Sequence, residues 1–82
     1  MIKVVFFAAL REQLSCNELS LSAVNISTIK QLKAALIAEQ PSWQPHLENS
    51  TLLYAVNQEM VNETFTIKAG DEVAFFPPVT GG

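Results

Sequence analysis

The chain has 82 residues, 49% of them hydrophobic and 16% charged, enough for one thin core and not for two. Eight acidic residues outnumber five basic ones, for a net charge of -3, and Lys3, Arg11, Lys30, Lys33 and Lys68 are scattered along the chain. Such a charge pattern builds no patch for phosphate, which argues against nucleic-acid binding, and so small a core encloses catalytic pockets poorly.

Ile2 to Ala8 is rich in β-branched and aromatic side chains and predicts a first strand. At period two, Ile2, Val4, Phe6 and Ala8 share one face and Lys3, Val5 and Phe7 the other, which Lys3 marks as the wetter. The apolar run after Lys3 is short for a secretory leader and passes straight into Arg11-Glu12, so no membrane association is expected. Cys16 is the only cysteine, which rules out an intrachain disulfide and a cysteine zinc site and suits a reducing cytoplasm. It falls in a turn between strands, where a lone cysteine is ordinarily an inert small residue. Leu19 to Val24 alternates apolar with polar and predicts a half-buried second strand, antiparallel to the first.

Thr28 with Gln31 three positions later forms a capping box, so a helix starts there. Ile29, Leu32, Ala35 and Leu36 give it a core-facing stripe with Lys30 and Lys33 outside, and Pro41 ends it. Residues 41–50 read as a loop whose Trp43 plugs an open edge of the core, and His46 has no cysteine or second histidine with which to hold a metal. Thr51 to Val56 predicts a third strand, Asn57-Gln58-Glu59 a turn, and Met60-Val61 a short strand. Asp71 to Phe76 is the last strand, introduced by Gly70, which supplies the positive φ of a tight turn. One helix between two hairpin-like halves packs on one face of a mixed sheet, an α+β arrangement that leaves the other face without a helical cover.

In the last strand Val73 and Phe75 share one side and Glu72, Ala74 and Phe76 the other. With the first and last strands as neighbours, Phe7 and Phe76 stand together on the uncovered face beside Lys3, Glu72 and Ala74. Paired aromatics there suggest a protein-binding patch; the alternative is that Phe76 packs beneath the Trp43 loop. Pro77 and Pro78 cannot continue a central strand, so residues 1–76 form the domain and 77–82 a tail that leaves it. The prolines hold the first part of the tail extended, and Gly81-Gly82 give it a tip without side chains, able to thread a narrow channel. A frayed terminus is the plainer reading of the same residues.

Taken together, Ile2-Lys3-Val4-Val5-Phe6-Phe7-Ala8 with Arg11-Glu12, Ala55-Val56-Asn57-Gln58, and the run from Gly70 through Phe75-Phe76-Pro77-Pro78-Val79-Thr80-Gly81-Gly82 resemble the small subunit of molybdopterin synthase. That family consists of sulfur carriers with the ubiquitin-like β-grasp fold. The resemblance covers essentially the whole chain, with departures in the second strand and in residues 41–50. It implies that an ATP-dependent, ubiquitin-activating-like adenylyltransferase converts the Gly82 carboxylate to an acyl adenylate, and that a persulfide donor turns it into a thiocarboxylate. Docked on a large synthase subunit, in a heterotetramer of two small and two large subunits, the tail then delivers sulfur to cyclic pyranopterin monophosphate to build the dithiolene of the molybdenum cofactor.

On this implication Gly82 carries the reacting group, as acyl adenylate or thiocarboxylate, and Thr80 and Gly81 are slim parts of the threaded tail. Phe7, Phe76, Pro77, Pro78 and Val79 meet the partners, and no cofactor is bound by this chain itself. Arg11 either contacts the activating enzyme or sits solvated at the end of the first strand. Two other fates of the same terminal chemistry stay open: conjugation of Gly82 to lysines as a ubiquitin-like modifier, and sulfur delivery for thiazole synthesis, whose usual carrier tail lacks the Phe-Phe-Pro-Pro spacer. A plain interaction domain is the reading without chemistry.

Overall fold

The opening apolar run forms β1 (Ile2–Phe6), whose alternating burial places Ile2, Val4 and Phe6 in the core and leaves Lys3 exposed. The computed structural model describes residues 1–78. Here the chain departs from the sequence expectation, because Ala8–Leu14 is a helix, α1, rather than the end of a strand followed by a turn. Its residues are mostly strong helix formers, and Leu10 and Leu14, one helical turn apart, are both buried. Ser15 ends it in the left-handed conformation at φ 53, and the next amide, that of Cys16, donates to the Arg11 carbonyl at 3.1 Å. Arg11 therefore lies on a helix and Cys16 just beyond its end.

β2 (Glu18–Leu21) runs antiparallel to β1, as expected, though shorter. α2 (Ile29–Glu39) begins at Thr28, whose hydroxyl accepts the Gln31 amide at 3.2 Å. The return bond of the capping box lands one residue upstream, where the Gln31 side chain accepts the Ser27 amide at 2.6 Å. Ile29, Leu32 and Leu36 are buried as the periodicity requires, but Lys33 is too, at 9% exposure. Its ammonium donates to the Tyr54 hydroxyl and to Glu63, both at 2.8 Å, and lies 5.1 Å above the Tyr54 ring. Partners 21 and 30 positions away make the buried site habitable, and no local pattern reveals them.

Residues 41–50 are more ordered than a loop, with a 3-10 turn at Pro41–Trp43 and a short helix α3 (Gln44–Leu47) anchored by fully buried Leu47. Trp43 packs edge-on against Phe6, ring centroids 5.5 Å apart, which covers the core where the sequence anticipates a plug. β3 (Leu53–Val56) and β4 (Glu59–Val61) form a hairpin, and β5 (Glu72–Phe76) completes the sheet in the order β2-β1-β5-β3-β4. The hairpin turn is Asn57-Gln58, both at positive φ (50 and 73), the geometry that matches the twist of the strands it joins; Glu59 belongs to β4. β5 lies parallel to β1 and antiparallel to β3, which makes it the central strand.

The buried residues of the three described helices join Ile2, Val4, Phe6, Val73 and Phe75 in one core. Phe6, Phe75 and Tyr54 stack edge-to-face through it at 5.8 and 5.5 Å. Among the described residues, the helices lie on this core side, and the other face of β1 and β5 carries none.

Candidate docking face

On that open face the ladder sets the neighbours. Lys3 is paired with Glu72 and Val5 with Ala74 across β1 and β5, while Ala55 and Leu53 of β3 lie opposite Ala74 and Phe76. Phe7 continues the β1 ladder one residue past the strand, its amide donating to the Phe75 carbonyl at 3.1 Å. Its ring is 45% exposed and sits 5.7 Å from that of half-buried Phe76, tilted by 62°. The structure thus brings the two sequence-predicted aromatics together, and Phe76 does not enter the Trp43 side of the sheet, where the partner ring is Phe6. A shallow depression of about 220 Å³ lies beside the pair, lined by Val5, Phe7, Gln58, Glu72, Ala74 and Phe76.

Two residues of this face escape the sequence reading. Leu53 is 36% exposed opposite Phe76, and Met60, 56% exposed, is the cross-strand partner of Ala55. The signal was available: with Tyr54 and Val56 turned to the core, alternation turns Leu53 and Ala55 to the other side. Phe7, Phe76, Leu53 and Met60 are exposed or half-exposed apolar side chains on this face, around half-buried Ala74 and buried Ala55, the kind of surface that proteins use for one another. Its rim is polar. Lys3 Nζ stands 3.4 Å from Glu18 and 3.6 Å from Glu72, all three side chains about half exposed, so these pairs add little stability and leave an acidic excess at the rim.

The register of the face is held at its lower end by Asp71, which is 5% exposed. Its carboxylate accepts the Asn57 side-chain amide at 3.0 Å and the Lys68 backbone amide at 2.9 Å, while Asn57 accepts the Glu72 amide at 3.0 Å. The Asp71 carbonyl takes the Lys3 amide at 3.0 Å, and the preceding Gly70, at φ 94, donates to the Met1 carbonyl at 2.8 Å. The Asp71 carboxylate thus joins the β3–β4 turn to the start of β5, and its backbone carbonyl joins that point to β1. Burial works to raise the Asp71 pKa, but the Lys68 amide, the Asn57 amide and the Lys68 ammonium outweigh it, and the group lies below its ordinary 3.8.

At the upper end β5 stops at Phe76, and Pro77, half buried, and Pro78, exposed, lead away from the sheet. Val79, Thr80, Gly81 and Gly82 lie outside the described residues. Arg11 is exposed on α1, and its amide donates to the Phe7 carbonyl at 3.4 Å. Cys16 is away from the face, with its thiol 3.5 Å from the Glu18 carbonyl. Among the described residues no three histidine, cysteine, aspartate or glutamate side chains are grouped to hold a metal ion, and no helix is long and apolar enough to cross a membrane. What the face offers is apolar contact beside the end of β5.

A family model described as the ThiS family matches residues 4–82. The chain is 44% identical over 82 residues to the molybdopterin synthase sulfur carrier subunit of Escherichia coli, with 100% of each chain covered. In structure it is similar to SAMP1 from Haloferax volcanii, with a TM-score of 0.83 and 24% identity, covering 99% of this chain and 98% of that one. It is also similar to a chain in the complex of subunits 1 and 2 of molybdopterin-converting factor from Helicobacter pylori, with a TM-score of 0.66 and 24% identity over 99% of this chain and 97% of that one.

Proposed function

The chain belongs to the ThiS family, and from that premise we propose that it is the sulfur carrier subunit of a molybdopterin synthase, built on the ubiquitin-like β-grasp fold. The full-length identity to a bacterial sulfur carrier subunit is the observation that carries this reading. It works as one subunit of a sulfur-transfer complex with a larger subunit, as the Helicobacter complex supports.

The finer steps are those that the resemblance to this family implies. A carboxylate is a poor electrophile, so the Gly82 carboxylate is first adenylated by an ATP-dependent adenylyltransferase, which gives it AMP as a leaving group. A persulfide donor then attacks the acyl carbon and expels AMP, giving an acyl disulfide. A second thiol on the donor attacks the donor's own sulfur, closing a disulfide there and releasing the thiocarboxylate, the nucleophile toward cyclic pyranopterin monophosphate. Two such deliveries supply the two sulfurs of the dithiolene. Acid and base groups come from the partners, since residues 77–82 carry no ionisable side chain. Phe7 and Phe76 anchor each partner in turn, because a single face beside the tail admits one at a time. Pro77, Pro78 and Val79 lead Thr80, Gly81 and Gly82 into the partner's active site. The assembly is a cytoplasmic heterotetramer of two small and two large subunits.

The test is the intact mass of the protein purified from its own cells. Replacement of one terminal oxygen by sulfur is expected; a ladder of lysine conjugates instead would sink the carrier reading in favour of a modifier. Deleting Gly82 should abolish dithiolene formation by the complex while the melting temperature stays unchanged.

A further inference from the structure

We propose that Ala8 is a positioning residue, whose left-handed backbone aims Phe7 at Phe76 and so assembles the docking pair. Ala8 has φ 54, a region that L-residues other than glycine, asparagine and aspartate seldom occupy. Its side chain is exposed, so no packing of the methyl explains why the conformation is kept.

The neighbours explain it. Phe7 is extended (φ -120, ψ 156), its amide held by the Phe75 carbonyl and its ring on the open face. Three positions later Leu10 is buried at 1% exposure on the opposite, helix-covered side. The chain must pass round the end of the sheet between these two, and the reversal is concentrated at Ala8. A right-handed residue there would either draw Phe7 out of the ladder or lift Leu10 from the core. Strain of this kind persists where the surroundings over-determine it, and here it lies next to the exposed ring of a contact pair. The role rests on the docking reading above, but the aim of the ring is a property of the free protein.

The position should therefore be selective for backbone handedness. Ala8→Gly accepts positive φ and is expected to keep the Phe7–Phe76 ring cross-peaks in NMR and an affinity for the large subunit within about twofold of the parent. Ala8→Val is β-branched and rejects positive φ. It is expected to lose the cross-peaks and to bind at least about tenfold more weakly, the loss of one interface anchor. Thr28→Ala, which removes the α2 cap far from the face, provides a destabilised control that keeps both.

Should Ala8→Val not fold, Ala8→D-Ala decides. The lone Cys16 allows residues 1–15 to be made synthetically and ligated to the remainder, and the full chain refolded. A D-residue favours the left-handed region, so the melting temperature is expected to rise with the ring contact and affinity retained. Ring cross-peaks that survive Ala8→Val, or that vanish in Ala8→Gly or Ala8→D-Ala, would overturn the proposal. If instead Phe7→Ala leaves affinity unchanged while the cross-peaks behave as stated, the docking reading fails and the aiming role stands.

Discussion

Phe75 and Phe76 are adjacent in the chain and opposite in consequence. Phe75 is fully buried between Phe6 and Tyr54, whereas Phe76 is half exposed against Phe7. Phe75→Ala is expected to cost about 3–5 kcal/mol of stability, the usual range for emptying an aromatic site in a core, read from urea denaturation. Phe76→Ala should leave the urea midpoint nearly unchanged and weaken binding to the large subunit by about 2 kcal/mol, roughly thirtyfold in a titration. A large stability loss from Phe76→Ala, or unchanged affinity, would reject its place in the interface. At this scale most of the face was legible: alternation through two strands, once they are taken as neighbours, predicts that Phe7 and Phe76 meet. Leu53 and Met60 were legible in principle, once the buried side of β3 was known.

Elements show what local pattern cannot carry. The four longer predicted strands, the hairpin and the capped helix were each marked by period, turn residues or a cap, and each formed within a few residues of its expected bounds. α1 was hidden because an unbroken apolar run spans the end of β1 and the start of the helix, and the only break between them is the backbone conformation of Ala8. The Lys33 network was equally invisible, since a lysine beside an apolar stripe reads as solvated until Tyr54 and Glu63 arrive from distant parts of the chain. Burial acts against its charge, but the bonds to Glu63 and Tyr54 and their charges prevail, so Lys33 lies above its ordinary 10.5. Lys33→Ala would unlink α2 from β3 and leave the Tyr54 hydroxyl without its buried partner. A loss of about 1–3 kcal/mol in urea denaturation is expected, and a change of only a few tenths would show the network to be inert.

For the molecule as a whole, two carboxylates set the acid limit. Asp71 lies below 3.8 for the reasons given, and Glu63 lies below 4.5 through its hydrogen bond to Lys33 and the charge behind it. A carboxyl depressed in the folded state adds stability that is complete above its unfolded value and is lost as pH falls through the folded one. Stability is therefore expected to decline from about pH 4.5 downward, and Asp71→Asn to flatten that decline when urea midpoints are plotted against pH. An unchanged slope would remove Asp71 from the account. At alkaline pH the sign reverses: the contribution of Lys33 disappears only as pH rises beyond 10.5.

The central position of β5 has a mechanical meaning as well. The strand that leads into residues 77–82 is bonded along its length to β1 on one side and β3 on the other. On the proposed function, a partner drawing residues 77–82 into its active site would load both ladders in shear, so many hydrogen bonds would resist at once. Were the same strand at an edge, a pull across it would peel the bonds one after another. On that reading the carrier could be tugged by its cargo end through repeated deliveries without being unravelled from it.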